Sequence, residues 1–299
     1  MNESLVKYLS GLLDADGCLS FNFRKSKSHP GRYHVGLRLV LSAAHSVDRN
    51  GFVPSLPELT GMGTACQIPP NKSVTAWTVA RRSHLEMLLP RIIKHMVIKA
   101  KHWNWLLAEW RQYRGQEYGK NGISEAEREI LSEKVRSSRQ NVGPLKPKNH
   151  PTWAWLAGYL DGDGYYTLRV QSGKTHVRVG VCAHVNDASV LEFIFQAFGG
   201  QVRHYQKKQN LKFWDRNLGS SQTSFALRFL PNLAKHSKLK RCKIDNMIRW
   251  HRQRLRDSST VCSRKWCNKK IRSKGLCQLH YNRSMKYSVS DSLNTHNNL

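Results

Sequence analysis

Leu156–Gly164 reads LAGYLDGDG, and Leu9–Gly17 reads LSGLLDADG. In register the two stretches share Leu, Gly, Leu, Asp, Asp and Gly. A phrase written twice in one chain predicts two structurally related halves. Read as a helix, the first copy places Leu5, Leu9, Leu12 and Leu13 on one apolar stripe. Gly11 and Ala15 fall four residues apart, as do Gly158 and Gly162. Small residues at that spacing let two helix backbones come close, because no side chain separates them. Glycine inside a helix costs about 1 kcal/mol relative to alanine, so two copies that keep it call for a reason. Packing the copies against each other supplies one, with Gly17 and Gly164 read as helix stops.

This reading puts Asp14, Asp16, Asp161 and Asp163 in the last helical turns. Helix C-termini carry partial negative charge, so carboxylates are disfavoured there, and two such ends side by side repel. A divalent cation relieves both costs, and carboxylates are hard ligands suited to Mg²⁺. The rest of the chain is basic. It has 299 residues, with 49 Lys+Arg against 20 Asp+Glu and a formal net charge of +29. The excess is spread along the length and predicts folded surfaces that engage a polyanion. An acidic, metal-demanding spot in a protein built for nucleic acid fits metal-assisted phosphodiester hydrolysis.

After each phrase comes a pair of alternating segments. Leu19, Phe21 and Phe23 alternate with polar residues, and Tyr166, Leu168 and Val170 do the same. The stretches YHVGLRLVLSA and HVRVGVCAHV predict second strands. SVLEFIFQAFG predicts a helix, with FVPSLPELTG as its weaker, Pro-broken counterpart. SVTAWTVARR, GQVRHYQKK and TSFALRFL predict further strands; AKHWNWLLAEWRQYR and RCKIDNMIRWHRQRLR predict closing helices. Each half thus reads αββαββα, an α+β class with pseudo-twofold symmetry. The expected boundaries are residues 1–114 for the first half, 115–151 for a linker with a helix in SEAEREILSEKVRSSRQ, and 152–257 for the second half. A small unit follows at 258–287, then a polar tail at 288–299. No apolar run reaches the roughly 20 residues of a membrane helix, and the N-terminal stretch reads as no secretory signal.

At the two phrases the chain resembles the LAGLIDADG homing endonucleases in their single-chain, two-motif form. The resemblance covers roughly residues 1–255. It implies two saddle-shaped antiparallel sheets straddling double-stranded DNA, motif helices at the seam between halves, and Mg²⁺-dependent cutting of both strands of a long asymmetric site by a monomer. It places the essential metal-binding acids on Asp16 and Asp163, with Ala15 and Gly162 offering backbone carbonyls. Asp14 and Asp161 take supporting roles. It puts a basic residue near the scissile phosphate at the start of each closing helix, matched to Lys101 and Lys240, and a water-orienting polar residue at His45. His184 and Asn186 remain alternatives for that role in the second half.

DNA readout is expected from the polar strand faces. Candidates are Asn22, Arg24, Lys25, Lys27 and Arg38 in the first half, and Arg169, Gln171, Arg178, Arg203 and Lys207 in the second. Two other readings use the same scaffold: an intron RNA maturase, and a DNA-binding regulator that does not cut. The retained acids argue against the second.

Seven cysteines is an odd number, and three of them cluster late in the chain. Cys262, Cys267, Cys277 and His280 read C-x4-C-x9-C-x2-H, a ligand set suited to a closed structural Zn²⁺ site. Metal binding would supply the folding energy of so short a segment. The surrounding lysines and arginines predict an added DNA clamp. This unit and the lack of a targeting segment point to a bacterial or phage setting, with an organelle-encoded origin as the alternative.

Overall fold

The computed structural model describes residues 1–68, 73–113, 122–140, 151–171, 174–184, 188–204 and 210–259, with residues 278 and 280. Cys262, Cys267, Cys277, Asn186 and Lys207 lie outside the described residues, so of the four expected zinc ligands only His280 is described.

The first motif forms α1 (Glu3–Asp16) and the second forms α6 (Trp153–Gly162). Each starts on a side-chain cap. Asn2 accepts from the Leu5 amide, and Thr152 accepts from the Trp155 amide. The two helices pack face to face at the glycines. A Cβ on Gly11 would lie 2.0 Å from the Trp155 carbonyl oxygen, and one on Gly158 would lie 2.0 Å from the Tyr8 carbonyl oxygen. No side chain fits there, which accounts for the helix-interior glycines. Gly17 and Gly164 act by a different route from the expected one. Gly17 ends α1 at φ −72°, outside the left-handed region. A Cβ there would meet the Leu13 carbonyl oxygen at 2.6 Å, and one on Gly164 would meet that of Leu160 at 2.5 Å. Glycine is needed because the chain doubles back tightly on the last helical turn.

Each half builds one antiparallel sheet. In the first, β1 (Cys18–Lys25), β2 (Arg32–Ala44), β3 (Thr64–Gln67) and β4 (Val74–Val79) run in the order β1-β2-β4-β3. The segment β5 (Ile123–Ser124) adds to β2. In the second, β6 (Gly164–Gln171), β7 (Lys174–His184), β8 (Gln201–His204) and β9 (Leu211–Asn217) run β6-β7-β9-β8. Between the strand pairs stand α2 (Phe52–Thr60) and α7 (Ser189–Phe198). The halves close with α3 (Arg82–Ile93) then α4 (Ala100–Gln112), and with α8 (Thr223–His236) then α9 (Arg241–Ser259). Each half is therefore αββαββαα, one helix longer than expected.

Three local readings are corrected or refined. TSFALRFL, expected as a strand, is the start of α8. Phe225, Leu227 and Phe229 mimic a period of two, but the buried set includes Ala226, Phe229, Leu230 and Leu233. That set is spaced i, i+3, i+4, i+7, which is one helix face. The missing strand is β9, whose Trp214 is fully buried. Second, α2 forms despite Pro57, because the buried Asp48 carboxylate accepts the Phe52 and Val53 amides at 2.7 Å each. Third, the linker helix α5 (Glu125–Gln140) forms, and it packs onto the first half through buried Leu131, with β5 joining that half's sheet.

The core lies between the sheets' inner faces and the helices. Val35, Leu37, Leu39 and Leu41 line it in the first half, and Val177, Val179 and Val181 in the second. Fully burying each such side chain contributes about 1.5–3 kcal/mol. Among the described residues no helix is long and apolar enough to cross a membrane.

Candidate active site

The motif helices deliver their acids to one place. Asp16 ends α1, and Asp163 follows α6 directly. Both residues keep part of their surface open to solvent, while the packed helix ends desolvate their carboxylates from the other side. A Cβ on Gly162 would lie 2.4 Å from that of Ala15 and 2.9 Å from Asp16 Oδ2, so the two motif ends touch. Burial of the surrounding chain pushes the Asp16 carboxyl above its ordinary range, against the pull of Lys240 and Lys99. Asp163 is pushed up by burial and next by the Asp16 charge, with Lys99 and Lys240 opposing. Among the described residues no three His, Cys, Asp or Glu form a metal-binding group; the acidic spot is this pair.

The first acid of each phrase does different work. Asp14 is buried and accepts the backbone amides of Val97, Ile98 and Lys99 at 2.7, 3.2 and 2.9 Å. Asp161, also buried, accepts those of Lys238, Leu239 and Lys240 at 2.7, 2.9 and 3.3 Å, together with the Ser237 hydroxyl at 2.7 Å. Each carboxylate thus gathers the turn that enters the closing helix. Each also takes a donor from the opposite half. The Trp155 indole reaches Asp14, and the Tyr8 phenol reaches Asp161 at 2.8 Å.

Gathering those turns aims two lysines at the motif helices. Lys99 Nζ donates to the carbonyls of Leu13, Ala15 and Gly17 at 3.1, 2.9 and 2.9 Å. Lys240 Nζ donates to those of Leu160, Gly162 and Gly164 at 3.0, 2.7 and 2.6 Å. An ammonium on the orphan carbonyls of a helix C-terminus satisfies them and offsets the negative helix end. Burial lowers both lysines' pKa, while nearby aspartates hold the charged form: Asp14, Asp163 and Asp16 around Lys99, and Asp161, Asp16 and Asp163 around Lys240.

Lys240 therefore stands at the site, and its counterpart in the first half is Lys99. Lys101, matched by sequence to this role, is an exposed residue in the first turn of α4. The signal that assigns Lys99 is a second repeat. Leu89-Pro90-x3-Lys94-His95-x3-Lys99 is matched by Leu230-Pro231-x3-Lys235-His236-x3-Lys240. His45 lies just past the end of β2, where its Nε2 meets the Thr75 hydroxyl at 2.8 Å. Cys18, which follows the first motif, pairs with Val40, five residues before His45. At about 3.3 Å per residue that is roughly 16 Å of strand. His184 ends β7 opposite Leu211.

The strand registers sort the readout candidates. Ser20, Asn22 and Arg24 face away from the core and pair with Arg38, Gly36 and His34. Thr167 and Arg169 pair with Arg178 and His176 on the matching face of the second sheet. Gln171 pairs with Lys174, and Arg203 sits on β8 opposite Phe213. Lys25 alternates to the other side of β1, and Lys27 lies in the β1–β2 turn; with Asn22 and Arg24 they line a cleft of about 760 Å³ that reaches Arg81, Arg82 and Trp110.

Two motif helices crossing at glycines, two outward polar sheets and a paired set of acids and lysines define a two-motif, pseudo-symmetric architecture. No protein-family model matches the sequence, and no curated protein matches it. Solved structures do. The chain is similar to the I-SmaMI LAGLIDADG homing endonuclease bound to cleaved DNA, at a TM-score of 0.60 and 16% identity, over 85% of this chain and 89% of that one. It is similar to I-GzeII in complex with its DNA target, at 0.60 and 15%, over 84% and 89%. It is also similar to I-CpaMI bound to uncleaved DNA, at 0.62 and 12%, over 84% and 91%. The fold is that of the LAGLIDADG homing endonucleases.

Proposed function

We propose that this chain is a monomeric, site-specific endonuclease of double-stranded DNA that uses a divalent cation, Mg²⁺. The observation that carries the reading is the convergence of Asp16 and Asp163 at the ends of two abutting helices, each end braced by its own half-buried lysine. The donor set fits the ion. The Asp16 and Asp163 carboxylates are hard oxygens that would hold it, while the Ala15 and Gly162 carbonyls, expected as further ligands, already accept from Lys99 and Lys240 Nζ. When bound there, the cation activates water and stabilises the leaving oxygen.

The protein's own groups do the rest. Asp14 and Asp161 hold the turns that carry Lys99 and Lys240. The two ammonium groups keep the motif ends in place and set positive charge beside the acids, where a phosphodiester gains negative charge on reaction. The basic outer faces of both sheets hold the duplex through its phosphates and read its major-groove edges. The relatives I-SmaMI, I-GzeII and I-CpaMI, whose structures contain DNA, support that partner. The halves at 1–114 and 152–257 and the clamp at 258–287 with Zn²⁺ on Cys262, Cys267, Cys277 and His280 complete the reading.

The test starts from a site enriched out of a random duplex library and cloned into a supercoiled plasmid. The wild type is expected to linearise the plasmid in Mg²⁺ and to leave it intact in EDTA. Asp16→Asn and Asp163→Asn should bind the site and give at most nicked circles. A wild type that binds the site yet leaves it uncut in Mg²⁺ or Mn²⁺ overturns the endonuclease reading. Preferential capture of structured RNA from its own locus would favour the maturase.

A further inference from the structure

The register aligns four residues across each sheet just after its motif. In the first half they are Cys18, Val40, Thr78 and Thr64. In the second they are Tyr165, Gly180, Asp215 and Gln201. The same fold therefore accepts a small neutral Thr78 where the second half carries a carboxylate. Asp215 is only 2% exposed, on the outer face of a sheet that is otherwise basic. A buried carboxylate there is costly unless it is paired, and more so beside the phosphates of a duplex.

The pairing is specific. Arg203 Nη2 meets Asp215 Oδ2 at 2.6 Å, and Arg178 Nη1 approaches the same oxygen at 3.9 Å. The Arg203 guanidinium also lies over the Phe213 ring, 5.2 Å from its centroid. The Tyr165 ring lies over Gly180, where an added Cβ would meet its hydroxyl at 2.5 Å. Burial, and next the Asp215 charge, push the Tyr165 phenol up to about 12, so it stays protonated. Asp215 is too buried to reach a base itself. The two arginine side chains keep 47% and 41% of their surface exposed, so donors remain on their outer edges.

Resting on the endonuclease reading, we propose that Asp215 is a positioning residue that fixes Arg203, with Arg178 beside it, as a reader of guanine in the half-site under the second sheet. A free arginine explores many rotamers and settles on any phosphate. One held by a carboxylate on one edge and an aromatic face beneath presents a fixed fork, the geometry that matches guanine O6 and N7. Arg38 occupies the place of Arg178 in the first half, where the position of Asp215 is taken by the neutral Thr78. The two half-sites are then read unequally, the second stringently at this step and the first with more tolerance.

The test is selection from a random duplex library with the full chain in EDTA, so that cleavage does not enter. Wild type, Asp215→Asn and Arg203→Lys are compared. The wild-type site should contain a guanine whose preference falls on the order of 10-fold in both variants, with the other positions unchanged and affinity for random DNA undiminished. Arg203→Lys removes the guanidinium fork, so an unchanged guanine preference in that variant alone overturns the inference even if Asp215→Asn does not fold. Unchanged guanine preference, or an equal loss at every position, overturns the inference while leaving the endonuclease reading intact. A wild type that enriches no duplex at all overturns both.

Discussion

The Trp155 indole donates to the Asp14 carboxylate over 3.0 Å, across the seam between the two halves. Tyr8 makes the mirror contact to Asp161. Tyr8 and Trp155 each stand six residues before the acid of their own motif, yet each serves the acid of the other. Tyr8→Phe removes one donor from a fully buried carboxylate and little volume. It should cost about 1–2 kcal/mol, read as a lower urea midpoint with an unchanged slope. An unaltered midpoint would show that this contact adds nothing.

The glycine seam makes a sharper demand. Alanine at Gly11 or Gly158 would drive a methyl into a backbone carbonyl of the facing helix, which cannot rotate away as a side chain can. Each substitution should destabilise by about 3 kcal/mol or more, despite alanine's better helix propensity. Thermal unfolding of Gly11→Ala near the wild-type temperature would mean the helices separate easily.

The outer acids should have the opposite effect on stability. Asp16 and Asp163 have carboxyl pKa values raised in the folded state, chiefly by burial. A raised folded pKa contributes stability that is fully present below the unfolded value, about 3.9, and is lost as pH rises through the folded one. At pH 7 the wild type therefore carries a charge penalty that asparagine lacks. Asp163→Asn should be more stable than wild type there, by less than about 1 kcal/mol because the carboxylate is exposed. The difference should vanish as pH falls through the carboxylate range. Asp163→Asn less stable at pH 7 would reverse the sign argued here.

The lysines separate by position. Removing the Lys99 ammonium strips three carbonyls of their donor and the acid pair of one of its two neighbouring cations. Lys99→Met should lower cleavage by about 10²–10³-fold. Lys101→Met should lower it by no more than the loss of one phosphate contact. Equal effects of the two on single-turnover cutting would sink the assignment of Lys99.

The motif helices, the first strand pairs and the closing helices were legible because their periodicities are clean and written twice. The glycines mark the seam in the sequence itself, since only close packing justifies them inside a helix. What escaped was coded by less obvious repeats. Trp77 and Trp214 each donate an indole hydrogen to the carbonyl of the turn before the third strand, at Met62 and Gly199. Matching them would have revealed β9. The shared Leu-Pro-x3-Lys-His-x3-Lys would have revealed α3 and α8 and placed Lys99. The inner acids' partners were not legible, because Asp14 and Asp161 bind backbone amides more than 70 residues away, and backbone amides carry no sequence signal.

The crossed contacts of Tyr8 and Trp155 bear on how such a chain can be recombined. A chimera that takes its first half from one relative and its second from another inherits the aromatic from one parent and its acid from the other. A parent with an apolar residue at either aromatic position would leave the partner half with an underserved buried carboxylate. Half-exchange should then succeed only between parents matched at these two positions, or when Tyr8 and Trp155 travel with the opposite half. In lineage terms the two halves are modules joined at the glycine seam, and this pair of hydrogen bonds makes each half depend on the identity of a side chain in the other.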